Sequence, residues 1–398
     1  MPASDRPQAA DSARALTLAA YAAFVPVGIV TVLLGPMLPT LSARWSLNYS
    51  QAGALFTAQY AASTLAVAVS GGLASRWGFR LPIKSGLVLT AAGVALLMAG
   101  PRLLGIISIA AYGAGLGLTV PAANLLVAEV NPERRSATLN LLNFCWSAGA
   151  VACPFLVAAA AKSHRVPLLL AAVAAFCLLV ANGIAVMPSS IVDPVASGGR
   201  KGQAEQGIRR REGVLAALAA LFFIYVGTEN AIGGWVASYA KALGSMTAAT
   251  AVITPAFFYS SLMLGRWLAP LLLRKIADVR LVQIGLVVAC AGMAGLVLSR
   301  GLLGVGVSAC LAGLGLSGVY PITISLLSRE FGSGASRVGS VMFTLSNLGG
   351  ASLPWVVGVA SNRFGTLKAG LVVPIMGGAA MILLFLREWK PAPTERPV

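Results

Sequence analysis

Long apolar stretches follow one another along the whole chain, separated by short breaks that contain Arg, Lys, Pro or Gly. A hydrocarbon core about 30 Å thick needs roughly 20 apolar residues in a helix, so each stretch can cross a bilayer. The stretches are too long and too continuously apolar for the alternating strands of about 10 residues that build membrane barrels. The pattern predicts an all-α membrane protein with twelve transmembrane helices, at residues 15–41, 49–74, 82–100, 103–128, 137–161, 166–187, 213–240, 247–272, 279–299, 301–327, 338–361 and 366–386.

Composition and charge fit this prediction. Of the 398 residues, 58% are hydrophobic and 10% are charged, whereas about 25% are charged in soluble domains, so a water-soluble domain is excluded. The net charge of +17 would favour a nucleic-acid partner, but 21 of the 29 Lys and Arg fall at the two termini and after even-numbered spans. Basic residues gather on the cytoplasmic side of membrane proteins. We therefore expect a multi-pass protein of the cytoplasmic (inner) membrane with both termini in the cytoplasm. We expect no nucleic-acid partner and no basic residue in the middle of a span.

A polar segment at residues 189–212 divides the chain into two parts of similar length, 1–188 and 213–398. Its Gly, Ser and mixed charges cannot build a core, so we expect a cytoplasmic linker. This organisation predicts two pseudo-symmetric six-helix bundles with a substrate site between them near the membrane midplane. The two parts align at an offset near 200, which pairs Gly28 with Gly227, Gly86 with Gly285, Gly93 with Gly292, Pro121 with Pro321 and Pro154 with Pro354.

The loop after the second span carries a family signature. Its sequence GGLASRWGFR resembles the cytoplasmic loop of the major facilitator superfamily, and Ser75 stands where that pattern usually has Asp. The resemblance implies the major facilitator fold over the whole chain and transport by alternating access. It is carried by Gly71, Leu73, Arg76, Gly78 and Arg80.

A second resemblance lies in the seventh span, YVGTENAIGGWVASYA at 225–240. This segment is similar to the fucose-permease-like sugar:proton symporters, which implies a neutral sugar or similar polyhydroxy substrate and coupling to a proton. Members of that group often have an acidic residue in the first span, where this chain has none and carries Thr17 and Thr31 among apolar residues. The matching residues are Tyr225, Gly227, Glu229, Gly233, Gly234, Trp235 and Tyr239.

Glu229 is the one acidic residue that falls inside a predicted span. A carboxylate at the centre of a membrane helix costs on the order of 2.5–3.5 kcal/mol, so it should face the bundle interior or water and marks a functional site. Our hypothesis is that Glu229 hydrogen-bonds a substrate hydroxyl, exchanges a proton during transport, or does both. The alternative is a structural carboxyl that bonds a neighbouring helix or Asn230, or one that stays hydrated near the outer surface.

Two adjacent glycines, Gly233 and Gly234, leave two interpretations open. They could weaken the helix so that its backbone lines a cavity, or they could allow close packing of neighbouring helices. In a straight helix Trp235 lies about 240° around from Glu229, so both side chains can face one cavity only if the helix bends at the glycines.

Polar and aromatic residues inside the spans are candidates for the lining of a substrate cavity. Amides can hydrogen-bond hydroxyl groups, and aromatic faces can cover the apolar side of a sugar ring, although each amide taken singly could equally join two helices. The predicted substrate-binding residues are Glu229, Asn230, Trp235, Tyr239, Gln59, Asn124, Asn143, Trp146, Tyr259, Tyr320 and Asn347.

Charged residues at the cytoplasmic corners of the two parts recur near the repeat offset. Ion pairs among them could hold the cytoplasmic side shut and exchange when it opens, or they could be solvated loop charges that obey the topology rule. The gating candidates are Arg76, Arg80, Glu129, Arg135, Glu330 and Arg337.

No motif indicates an enzyme. The phosphate-binding pattern GxxxxGK[ST] is missing, so transport should use a gradient rather than ATP. The five cysteines fall within spans without metal-like spacing, so we expect no metal and no other cofactor. The sequence therefore predicts a secondary active transporter that works as a monomer, with a sugar-like small molecule, a proton and the lipid bilayer as its partners. Two alternatives are a multidrug or metabolite exporter of the same superfamily and a transporter-like sensor that binds ligand without moving it.

Overall fold

The computed structural model describes residues 5–187, 212–245, 247–331 and 335–389, and these residues contain helices and no β-strand. Helices occupy all twelve predicted spans. In ten spans the helices are long and apolar enough to cross a membrane. The third span forms a helix of only 17 residues, and the eleventh holds a longer one, Ala335–Phe364. Residues 189–211 of the predicted linker lie outside the described residues.

The chain divides into two compact units. The first unit comprises Met1–Leu47 and Ala54–Gly199, and the second comprises Asn48–Gly53 and Arg200–Val398. The helices of spans one to six are α1 (Asp5–Val32), α2 (Leu34–Arg44), α3 (Tyr49–Trp77), α4 (Arg80–Leu96), α5 (Arg102–Val130), α6 (Arg135–Lys162) and α7 (Val166–Ala185).

The second half of the chain repeats this organisation with further breaks. The helices of spans seven to twelve are α8 (Glu212–Ala242), α9 (Ala248–Leu272), α10 (Asp278–Leu298), α11 (Leu302–Leu316), α12 (Val319–Phe331), α13 (Ala335–Phe364), α14 (Leu367–Gly370) and α15 (Val372–Glu388).

Spans one, ten and twelve are each split into two helices, and each split lies close to the residue four positions before a proline. A proline has no N–H to bond the carbonyl four residues earlier, and its ring crowds that carbonyl. A proline thus contributes to each of these breaks, which the apolar pattern alone did not predict, whereas Pro121, Pro154 and Pro354 lie inside continuous helices. The pairs of carbonyl and proline are Val32 with Pro36, Ser317 with Pro321, and Gly370 with Pro374.

Equivalent glycines permit equivalent helix contacts inside each unit. In the first unit, a Cβ at Gly93 would lie 2.6 Å from the carbonyl oxygen of Ser108. In the second unit, a Cβ at Gly292 would lie 2.7 Å from the carbonyl oxygen of Ser308. Both distances are too short for a side chain, so each glycine allows the third span of its unit to touch the fourth. The predicted duplication is thus present in the packing of the two units.

Candidate functional site

Glu229 is buried in the second unit and lies beside a basic residue. The Oε1 atom of Glu229, on α8, is 3.9 Å from the Nη2 atom of Arg266, on α9. The side chains of Glu229 and Arg266 are 11% and 24% exposed. Because each charge would be costly alone in a low-dielectric interior, the two form a mutually dependent pair. We refer to Glu229 and Arg266 as the charged pair.

Arg266 lies inside a span and pairs with a buried acid, whereas we had expected no basic residue in the middle of a span. Its charge was expected with the basic residues that follow the eighth span, but it lies within α9, six residues before the end of the helix at Leu272. The signal that could have identified it is local, since only apolar residues stand between Arg266 and Arg274. A lone cation in such a run marks an intramembrane site in the same way as a lone carboxylate.

Aromatic side chains surround the charged pair. The guanidinium Nη2 of Arg266 donates a hydrogen bond of 3.3 Å to the hydroxyl oxygen of Tyr225, which lies one helical turn before Glu229. The rings of Tyr225 and Tyr320 are 5.5 Å apart, and the ring of Phe222 contacts Tyr320 edge-on at 5.5 Å. Spans seven, eight and ten of the second unit thus bring two phenols to a buried ion pair.

The glycine pair in α8 does not break the helix. α8 runs without interruption from Glu212 to Ala242, and the hydroxyl of Tyr259 occupies the space that a Cβ on Gly233 would need. Close packing at Gly233 is therefore the interpretation that the structure favours, because the helix that carries Glu229 and Trp235 is continuous.

Trp235 and Tyr239 are buried in the second unit and bond backbone carbonyls. Trp235 is 1% exposed, and its indole Nε1 donates to the carbonyl oxygen of Pro354 at 2.9 Å. The hydroxyl of Tyr239 lies 3.4 Å from the carbonyl oxygens of Val297 and Ser299. Both side chains hold neighbouring spans together, and their substrate-binding role stays a prediction.

Gln59 and Trp146 lie in a hydrogen-bonded cluster of the first unit. The Nε2 atom of Gln59 donates to the backbone carbonyl of Thr31 at 3.2 Å, and the Nε1 atom of Trp146 donates to the Thr31 hydroxyl at 3.3 Å. Tyr112 donates its hydroxyl proton to the Oε1 atom of Gln59 at 3.3 Å. Thr31 and Tyr112 were not among the predicted site residues. Their position where four helices meet, α1, α3, α5 and α6, has no signature along the chain.

Three of the predicted amides are bonded to their own helices. Asn124, Asn143 and Asn230 each donate from Nδ2 to the carbonyl four residues earlier, at 2.8 to 2.9 Å. Asn143 is exposed, whereas Asn124 and Asn230 are half-buried. Tyr320 and Asn347 are half-buried in the second unit, and Tyr259 is buried there. Their roles in binding remain predictions.

The signature loop between α3 and α4 turns at Gly78, whose φ of 79° lies in the region that favours glycine. Arg80 follows the turn and donates from Nη1 to the carbonyl of Met187 at 3.4 Å, just beyond the end of α7. Arg76 is exposed. Ser75, in the place of the usual Asp, donates its hydroxyl proton to the carbonyl of Gly72 at 3.0 Å.

The remaining gating candidates contribute charges near helix ends. Glu129 and Arg135 are exposed, and Glu330 is half-buried. The side chain of Arg337 lies outside the described residues. An ion pair that was not predicted joins Arg329 Nη1 to Asp278 Oδ2 at 2.7 Å.

Twelve spans in two units with repeated packing, together with a buried charged pair, are typical of a multi-pass membrane transporter. The sequence profile of the Major Facilitator Superfamily matches residues 20–354. The chain belongs to this superfamily.

Curated relatives and solved structures agree with this membership over nearly the whole chain. A glucose/galactose transporter of Brucella abortus biovar 1 (strain 9-941) is 26% identical over 370 residues, which cover 88% of each chain. The sodium-dependent glucose transporter 1A of Mus musculus is 22% identical and covers 94% of this chain and 99% of its own. The crystal structure of the E. coli fucose:proton symporter FucP matches with a TM-score of 0.64 at 21% identity, over 93% of this chain and 97% of its own.

Proposed function

We propose that this chain is a secondary active transporter that moves a neutral sugar or similar polyhydroxy solute across the cytoplasmic membrane by alternating access. Its relatives include proteins named as glucose/galactose and glucose transporters, and its structural neighbours include a fucose:proton symporter. The distribution of Lys and Arg supports an orientation with both termini in the cytoplasm.

The observation that carries the proposal is the charged pair. Glu229 is the acidic residue inside the second unit that can take up a proton. Its carboxylate is paired with the positive charge of Arg266, and a bound proton would neutralise the carboxylate in place of that pairing. When Glu229 is protonated, its attraction to Arg266 is lost, and the guanidinium keeps the Tyr225 hydroxyl as its partner. Proton binding would therefore change which groups hold Arg266, and this change is the coupling step that we propose.

The proposed sugar contacts combine amides and aromatic rings. Asn124 and Asn143 use their Nδ2 groups within their own helices, and the amide oxygen of each can accept from a sugar hydroxyl. Trp146 and Tyr320 are half-buried, and their ring faces can cover the apolar side of a sugar.

Purified protein in liposomes tests the proposal. A sugar gradient should drive proton influx, measured with a pH-sensitive dye inside the liposomes, and liposomes without protein provide the baseline. Hexoses should be compared with a set of common drugs, and sodium should be replaced by potassium in parallel. Sugar uptake that needs sodium and carries no proton would refute proton coupling. Drug extrusion without sugar transport would identify an exporter, and ligand binding without flux would identify a sensor.

A further inference from the structure

A groove on the outside of the first unit combines a lysine with an apolar wall. It encloses about 480 Å³ and lies between α4, α5 and α7. Val88 is 46% exposed, and Ala92 and Asn182 are exposed as well, so the groove is open to the surroundings of the protein. Its lining consists of Lys84, Ser85, Val88, Leu89, Ala92, Leu118, Ala181 and Asn182.

The polar groups of the groove cluster at one end. Lys84 lies one helical turn after the start of α4 at Arg80, and Asn182 lies in the last turn of α7. Arg80 bonds the carbonyl of Met187 just beyond α7, so the start of α4 and the end of α7 are at the same end of the unit. In the part of the chain that the structure describes, no hydrogen bond or ion pair engages the ammonium of Lys84.

The apolar wall spans most of the hydrocarbon part of one lipid leaflet. From Lys84 to Ala92 the groove follows α4 for about 12 Å, at 1.5 Å per residue. Half of the hydrocarbon core is about 15 Å thick. An acyl chain that lies along Val88, Leu89 and Ala92 would therefore place its headgroup at the level of Lys84.

We propose that this groove binds one anionic phospholipid of the surrounding leaflet. The phosphate would contact the ammonium of Lys84, with Arg80 adding positive charge four residues earlier on the same side of α4. The acyl chain would fill the groove between α4, α5 and α7. Basic pockets between membrane helices at the cytoplasmic end are sites for acidic lipid headgroups, and the charge on Lys84 selects an anionic lipid over a zwitterionic one.

Native mass spectrometry of the purified protein, with phosphatidylglycerol or phosphatidylcholine added, tests this proposal. The wild-type protein and Lys84→Arg should retain one phosphatidylglycerol and release phosphatidylcholine. Lys84→Gln should weaken retention about fivefold, which is the factor for one basic residue near a charged lipid surface. Ala92→Trp, at an exposed position, should fill the groove and weaken retention while leaving Lys84 in place. Lys162→Gln is the matched control, because Lys162 is an exposed lysine at the end of α6.

Three results would overturn the proposal. Equal retention of the two lipids by the wild-type protein would refute selection by charge. Unchanged retention in Lys84→Gln, or an equal loss in Lys162→Gln, would show that the groove is not the site. If inorganic phosphate raises the melting temperature as much as phosphatidylglycerol does, then a free anion is enough to occupy the groove and no lipid is required.

Discussion

The guanidinium of Arg266 lies 3.9 Å from the carboxylate of Glu229 and is closer to the hydroxyl of Tyr225, at 3.3 Å. The ion pair is therefore close enough for charge attraction but too long for a hydrogen bond. A modest movement of Arg266 would exchange one partner for the other. This arrangement suits a group whose protonation changes during a transport cycle.

We predict that the charged pair stabilises the second unit only as a pair. Arg266→Gln should lower the free energy of unfolding by about 3 to 5 kcal/mol, because it leaves the buried Glu229 carboxylate without its counter-charge. The double variant Glu229→Gln/Arg266→Gln should recover much of this loss. A double-mutant cycle from thermal unfolding in detergent measures the coupling.

The matched control is the exposed pair of Asp278 and Arg329, whose side chains are 30% and 63% exposed. A cycle with Asp278→Asn and Arg329→Gln should give a coupling of about 0 to 1 kcal/mol. Equal coupling energies at the two pairs would contradict a special role of burial at Glu229.

Thr31 should matter more than Thr64, a threonine of the second span that lacks the bond from an indole. Thr31→Val keeps the shape of the side chain but removes the hydroxyl that accepts from Trp146, so it should destabilise the protein by about 1 kcal/mol. Thr64→Val is the control. The hydroxyls of Thr31 and Thr64 each donate to the carbonyl four residues earlier, but the Trp146 indole donates to Thr31 and not to Thr64. Apparent melting temperatures that fall equally would refute this prediction.

The repeated glycine contacts should respond alike in the two units. Gly93→Ala and Gly292→Ala would each push a methyl group against a backbone carbonyl, and each should cost about 1 to 3 kcal/mol. Gly183→Ala, where a Cβ would meet nothing within 4 Å, should instead gain about 1 kcal/mol through helix propensity. Thermal unfolding of the three variants provides the comparison, and a stabilised Gly93→Ala or Gly292→Ala would contradict the packing described here.

The twelve spans could be predicted from the sequence because a membrane helix is specified by a local property, an apolar run of sufficient length. The internal repeat was visible for a related reason. A glycine at a close helix contact, such as Gly93 or Gly292, cannot accept a side chain, so it marks the same contact in both units. The breaks before Pro36, Pro321 and Pro374 could not be predicted from hydrophobicity, and proline alone does not specify them, because Pro121 and Pro154 lie inside continuous helices.

The site was predicted only in part because its chemistry depends on which helix faces meet. The burial of Glu229 could be predicted because an acid within an apolar run is locally unusual, and its role in transport stays a prediction. Arg266 was missed because it stands eight residues before Arg274 and was counted with that loop. Trp235 and Glu229 are neighbours in sequence, yet the continuous helix α8 turns them to different sides.

Proton movement in the variant Glu229→Gln tests the central claim most directly. Liposomes should be loaded with a pH-sensitive dye, and two rates should be measured for the wild-type protein, for Glu229→Gln and for the control Glu133→Gln, which changes an exposed acid. One rate is sugar-driven proton influx, and the other is exchange of labelled for unlabelled sugar at equal concentrations. We predict that Glu229→Gln abolishes proton influx but retains sugar exchange, and that Glu133→Gln retains both. If Glu229→Gln still takes up protons and sugar in the same ratio as the wild-type protein, proton coupling through Glu229 is contradicted.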